Sequence, residues 1–115
     1  MRCIIVDDSE EFLASASRLL GSQGMEIVAC ASSGERALDL TTQLVPDVIL
    51  VDIELGEEDG IELSHVLAVR APRTRVVLIS SYERDELGDL IAQSPAAGFL
   101  PKTDLAATAI AQVLG

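Results

Sequence analysis

Three kinds of polar side chain break into an otherwise apolar chain where chemistry is possible. The stretch "CIIVDDSEEF" carries Asp7 and Asp8, "VILVDIELGEEDG" carries Asp52, and further on stand Ser80, Ser81 and Lys102. Three ionised carboxylates brought within a few ångströms raise one another's pKa unless a cation joins them. Hard oxygen ligands with room for water suit Mg2+, which keeps several waters and takes one or two carboxylates plus phosphate oxygens. An ammonium facing such a cluster neutralises it when empty and grips an incoming anion when loaded. Carboxylates, Mg2+, a lysine and a hydroxyl are the parts of a phosphoryl-transfer site, where positioning and charge neutralisation dominate. No Gly-rich loop of Walker type is present, so no bound nucleotide is implied. The acceptor is then a side chain, and Asp52 is the candidate because a carboxylate forms an acyl phosphate.

Each of these residues also has an ordinary structural use. An Asp pair ending a strand serves as a turn or helix cap, and Asp8 with Glu11 has capping-box spacing. Ser80 and Ser81 could satisfy backbone groups, and Lys102 could be an exposed lysine at a strand end. His65, the only histidine, falls on a predicted helix away from the other residues and reads as solvated or core-edge. What favours chemistry is convergence: the elements below bring all of these side chains to one rim.

Short apolar runs alternate with stretches of helical period. Residues 2–7, 25–31, 47–52, 75–80 and 97–100 read as strands, several of them unbroken apolar runs that suit parallel strands covered on both faces. Phe12, Leu13, Ala16, Leu19 and Leu20 form the stripe of a first helix that stops at Gly21 and Gly24. "SSGERALDL" opens a second, with Ser32 and Glu35 spaced as a capping box. A third runs from about Ile61 to Ala71, ended by Pro72. The fourth, about 85–93, offers only Leu87, Leu90 and Ile91 to a core, contains Gly88, and is expected to be the most weakly anchored. The fifth starts at Thr103 or Asp104 and shows Ala106, Ala109, Ile110, Val113 and Leu114 on one face. Five β-α units with no internal linker predict an α/β, flavodoxin-like (βα)5 fold: a doubly wound five-stranded parallel sheet in the order 2-1-3-4-5, that order being borrowed from known doubly wound proteins. The ligand site of such a sheet lies beyond the carboxyl ends of its strands, where Asp7, Asp8, Asp52, Ser80, Ser81 and Lys102 fall.

At 115 residues the chain is expected to be one domain. Its core has to be aliphatic, since apolar residues are 49% but aromatic ones only 3%. Eight basic against nineteen acidic residues give a net charge of −11, which argues against binding nucleic acid or an anionic membrane unaided and is compatible with a cation or a basic partner. No stretch has the length of a membrane span, and the N-terminus lacks the regions of a signal peptide. Cys3 and Cys30 each sit in an apolar run without C-x-x-C spacing and read as small buried hydrophobes of a reducing cytoplasm.

Taken together, these residues resemble the receiver domain of bacterial two-component response regulators over essentially the whole chain. The resemblance rests on Asp7-Asp8, Asp52 ending the third strand, "DIELGEEDG" with Asp59-Gly60, Ser80, Phe99 and Lys102. It implies that Asp52 accepts phosphate from a sensor histidine kinase. It further implies that Asp8, Asp52 and the Glu54 backbone carbonyl ligate Mg2+ with Asp7 acting through water, and that Lys102, the Ser80 hydroxyl and the Ser81 amide hold the phosphoryl oxygens. Ser80 and Phe99 would be the switch, read out on the face of the fourth helix, fifth strand and fifth helix, a face that also suits homodimerisation. Glu54 and Tyr82 stand where the family tunes hydrolysis. Gly56 replaces a frequent proline and is expected to loosen the loop after Asp52. Thr103 also replaces a frequent proline, and the Lys102–Thr103 bond is expected to be trans.

The resemblance implies a cytoplasmic phosphoacceptor that catalyses only its own phosphorylation and dephosphorylation. Residues 1–115 are expected to form the receiver, with any output domain expected beyond Gly115. "GFLPKTDL" is similar to regulators carrying a helix-turn-helix domain, so transcriptional control through such a domain is the expected pathway, with DNA touched only there. Two other readings stand beside it. One is a receiver-like module that dimerises or docks regardless of phosphorylation. The other is a small Mg2+-dependent phosphatase with an aspartyl nucleophile, against which stands Glu54 where a second aspartate is needed. A flavin site lacks aromatic residues to stack on the ring.

Overall fold

A computed structural model describes residues 1–81 and 87–115. The strands are β1 (Arg2–Val6), β2 (Glu26–Ala31), β3 (Val48–Asp52), β4 (Glu54–Leu55), β5 (Glu58–Asp59), β6 (Arg75–Ser80) and β7 (Gly98–Pro101). The helices are α1 (Glu10–Ser22), α2 (Gly34–Leu44), α3 (Gly60–Arg70), α4 (Gly88–Gln93) and α5 (Ala107–Leu114), with a 3-10 turn over Lys102–Asp104 before the last. The main sheet has the order β2-β1-β3-β6-β7 and every pairing in it is parallel. This is the expected 2-1-3-4-5 arrangement once the short β4–β5 hairpin, which the sequence did not suggest, is set aside.

Alternation along the buried strands divides the core in two. Ile4, Val6, Ile49, Val51 and Leu78 face one side with Ala37 and Leu40 of α2 and Ile61, Leu63 and Leu67 of α3. Cys3, Ile5, Val48, Leu50, Val77 and Ile79 face the other with Ala16 and Leu20 of α1 and Ile110 of α5. Each Val, Leu or Ile side chain among them contributes about 1.5–3 kcal/mol on burial, which makes β1, β3 and β6 a rigid base for whatever their carboxyl ends carry. Among the described residues no helix is long and apolar enough to cross a membrane.

Several expectations shift. The α2 cap is Ser33, whose side chain accepts from the Arg36 amide, and not Ser32 with Glu35. Likewise Ser9 and not Asp8 caps α1, accepting from the Phe12 amide at 3.2 Å. The last helix starts at Ala107 and not at Thr103 or Asp104, because buried Leu105 closes the 3-10 turn back onto the Lys102 carbonyl. Its first amide donates instead to the Gln23 side chain at 2.7 Å, a cap from another element. Residues 85 and 86 of the expected fourth helix lie outside the described residues. In the described part, α4 buries Ile91 alone, while Leu90 turns outward at 52% exposure. Cys30 is exposed rather than buried, because β2 is an edge strand, and its thiol lies 3.3 Å from the Ser17 hydroxyl. Cys3 is buried, and burial pushes its thiol up to about 12, so it stays protonated. His65 is exposed on α3 as expected.

Candidate functional site at the carboxyl ends of the strands

Adjacent central strands deliver two buried carboxylates to one place. Asp52 is the last residue of β3, and Asp7 follows β1, its amide held by the Ala31 carbonyl at 3.0 Å. Asp7 is fully buried and Asp52 nearly so. One oxygen of each is fixed by a backbone amide two residues on: Asp7 Oδ1 accepts from Ser9 at 2.8 Å, and Asp52 Oδ1 from Glu54 at 3.1 Å. The other oxygens face Lys102, whose Nζ is 2.6 Å from Asp7 Oδ2 and 3.2 Å from Asp52 Oδ2. Among the described residues Asp7 Oδ2 has no partner besides this ammonium, with which it forms an ion pair. Asp8 is exposed, and carboxylate oxygens of Asp7, Asp8 and Asp52 lie within 4.8 Å of one another.

The electrostatics follow from this crowding. Burial pushes the Asp52 carboxyl up to about 6; Lys102 opposes the rise, Asp7 adds to it, and the Glu54 amide lowers it again. Burial pulls on the Lys102 ammonium in the deprotonating direction, but Asp7 and Asp52 outweigh it and its pKa ends above the ordinary lysine value. One ammonium therefore compensates two buried carboxylates, and Asp8 adds a third at the rim. A cleft of about 280 Å³ opens over the group, lined also by Glu54, Gly56, Ser80 and Ser81. All-oxygen donors, excess negative charge and room for water fit Mg2+.

The loop after Asp52 is held from two sides. The β4–β5 hairpin turns at Gly56, whose φ of +61° is open to glycine and closed to proline. Gly56 thus gives a paired hairpin in place of the looser loop expected from the missing proline. Glu58 ties the hairpin to α2 by accepting from the Gly34 amide at 3.0 and 3.3 Å. Asp59 caps α3, accepting from Ile61 at 2.8 Å and Glu62 at 3.4 Å. Gly60 passes so close to β3 that a Cβ there would stand 2.0 Å from the Asp52 backbone oxygen.

Of the residues singled out from the sequence, Asp7, Asp8, Asp52, Glu54, Ser80, Ser81 and Lys102 share this one cleft. Ser80 is buried at the end of β6, and Ser81 is exposed beside it. Phe99 does not line the cleft; it lies in β7, half-buried, packed against the core face that includes Ile91. Tyr82 lies outside the described residues. The Lys102–Thr103 bond is trans. Sequence reasoning gave Phe12 to the core stripe alone, yet its ring also stands under the ammonium, with Lys102 Nζ 4.4 Å from the centroid. Glu58 and Gln23 carried no signal either, since each acts on an element distant in sequence.

Comparison with known proteins identifies the family and the fold. Residues 3–113 match the family model described as response regulator receiver domain. The chain is 31% identical over 103 residues to the response regulator GacA of Pseudomonas viridiflava, covering 89% of this chain and 48% of that protein. It is 30% identical over 103 residues to the transcriptional regulatory protein DegU of Brevibacillus brevis, covering 89% of this chain and 44% of that one. It thus spans about half the length of the curated relatives it matches. Among solved structures, the signal receiver domain of the response regulator NarL from Mycobacterium tuberculosis superposes with a TM-score of 0.81 at 29% identity, over 98% of this chain and 89% of that one.

Proposed function

Since this chain belongs to the response regulator receiver domain family, we propose that Asp52 is the acceptor of a phosphoryl group from a phosphohistidine of a sensor histidine kinase. In that step a carboxylate oxygen of Asp52 bonds to phosphorus while the phosphorus–nitrogen bond breaks, and the released imidazole takes a proton from solvent. The observation that carries the reading is the bridging of Asp7 and Asp52 by one ammonium inside a cleft. A lysine so placed neutralises the carboxylates before transfer and holds the phosphoryl oxygens afterwards. Asp8, Asp52 and the Glu54 carbonyl would hold Mg2+ directly and Asp7 through water; when bound, the ion neutralises charge on the transferring group. The Ser80 hydroxyl and Ser81 amide complete the set of phosphoryl-oxygen donors.

Output in this reading is a surface, not a product. Ser80 at the end of β6 and Phe99 on β7 act as the switch, and the face of α4, β7 and α5 presents the result, including to a second copy of the chain. Support comes from α4, whose described part is anchored by Ile91 alone and has no side-chain N-cap. The name of the DegU relative supports transcriptional control through an attached output domain. The test is Mg2+-dependent labelling by acetyl phosphate, expected in the unchanged chain and abolished in Asp52→Asn. Absence of label in the unchanged chain, or its persistence in Asp52→Asn, refutes the assignment.

A further inference from the structure

Among the described residues Lys102 has two anionic partners and one neutral one. Its nearest anion, Asp7 Oδ2 at 2.6 Å, and its second, Asp52 Oδ2 at 3.2 Å, both belong to the carboxylates that a divalent cation would recruit. A cation seated there repels the ammonium and weakens its hold on both. Among the described residues the Phe12 ring is the one contact of Nζ that brings no carboxylate, at 4.4 Å to the centroid. A ring attracts the ammonium through its quadrupole and offers nothing that competes for metal, and the attraction strengthens where water is scarce. The Lys102 side chain is only 16% exposed.

The ring is itself fixed. Asp7 Oδ1 holds the Ser9 amide, Ser9 Oγ holds the Phe12 amide, and the Phe12 ring meets Lys102, which returns to Asp7. The circuit joins the start of α1 to the residue after β7, and the Phe12 side chain also packs on the core face beside it. Building on the phosphoacceptor reading, we propose that Phe12 is a positioning residue: its ring face keeps the Lys102 ammonium at the cleft when the carboxylates are engaged by metal. A leucine would fill similar apolar space and leave the ammonium without this partner.

Phe12→Leu and Phe12→Tyr, compared with the unchanged chain, test this. With acetyl phosphate and Mg2+, the second-order labelling constant is expected to fall about tenfold in Phe12→Leu, equivalent to about 1.4 kcal/mol, and to stay within about twofold in Phe12→Tyr, which keeps the ring. The Mg2+ dissociation constant, by calorimetry, is expected to be unchanged within about twofold in both variants. Labelling undiminished in Phe12→Leu, labelling as slow in Phe12→Tyr, or Mg2+ affinity falling in step with labelling overturns the proposal. A second readout needs no phosphodonor and holds even if the leucine variant fails to fold. The Lys102 Hε protons of the unchanged chain and of Phe12→Tyr are expected upfield through the ring current, and unshifted protons overturn the placement. A chain that shows the shift and binds Mg2+ but takes no label refutes the phosphoacceptor assignment and leaves the contact standing.

Discussion

Alanine at position 60 puts two opposing effects in direct competition. Gly60 is the first residue of α3, and helix propensity alone favours alanine by at most about 1 kcal/mol. The structure predicts the opposite sign. The added Cβ would lie 2.0 Å from the Asp52 backbone oxygen and 2.9 Å from the Ile53 Cα, where ordinary contact begins at 3.4 Å, so the backbones must part by about 1.4 Å. Neither side yields easily: Val48–Val51 of β3 are fully buried, and the first turn of α3 is held by Asp59. Separation also breaks the bond from the Gly60 amide to the Ile53 carbonyl at 2.9 Å, worth about 1 kcal/mol. Overpacking of this kind costs about 1–3 kcal/mol, so Gly60→Ala should be destabilising by about that amount. A displacement of Asp52 on the order of 1 Å should also slow Mg2+-dependent labelling by about 100-fold. The control is Gly21→Ala in α1, where an added Cβ meets nothing within 4 Å; it should stabilise by up to about 1 kcal/mol and leave labelling unchanged. Urea denaturation and acetyl phosphate labelling measure both. A Gly60→Ala chain as stable as the unchanged one, with labelling within about threefold, would refute the claim that this glycine exists to let α3 approach the end of β3.

Two further perturbations probe the supports and the charge. Glu58→Ala removes the carboxylate that accepts from the first amide of α2 and should cost about 1 kcal/mol, with slower labelling as the Glu54 backbone loosens; Glu58→Gln, which keeps an acceptor oxygen, should recover much of both, and an alanine variant of unchanged stability would exclude the tie. Asp52 carries a folded-state pKa raised from 3.8 to about 6, so the folded chain binds this proton more tightly than the unfolded one, and the associated stability is full below about pH 4 and lost as pH rises through about 6. Asp52→Asn should therefore stabilise the metal-free fold at pH 7 by about 1 kcal/mol, a figure reduced for water in the cleft and for the loss of a Lys102 partner, and the gain should fade toward pH 4. An equal gain at both pH values, by thermal melting in chelator, would contradict the raised pKa.

Local pattern made the strands and most of the helices legible. Unbroken aliphatic runs marked β1, β3 and β6, and their polar ends marked Asp7, Asp52 and Ser80, because period and termination are written in neighbouring residues. Pattern failed where several residues of one capping type compete. Asp8 with Glu11 has capping-box spacing, yet Ser9 one residue on caps α1, while Asp7 is committed to the Ser9 amide and Lys102. It failed again where burial depends on a strand's place in the sheet, as for Cys30 on the open edge, and where a helix turns a residue outward, as for Leu90.

The sequence by itself determined the alternation of elements, the aliphatic core and the presence of three carboxylates, hydroxyls and a lysine at strand ends. Only the tertiary structure decided that Lys102 bridges Asp7 and Asp52, that the Phe12 ring lies under its ammonium, that Gly60 leaves no room beside the Asp52 carbonyl, and that Gln23 caps α5. The reason is reach. Propensity and periodicity act over a few residues, whereas Asp52 and Lys102 are 50 residues apart and meet at 3.2 Å only because β3, β6 and β7 pack side by side.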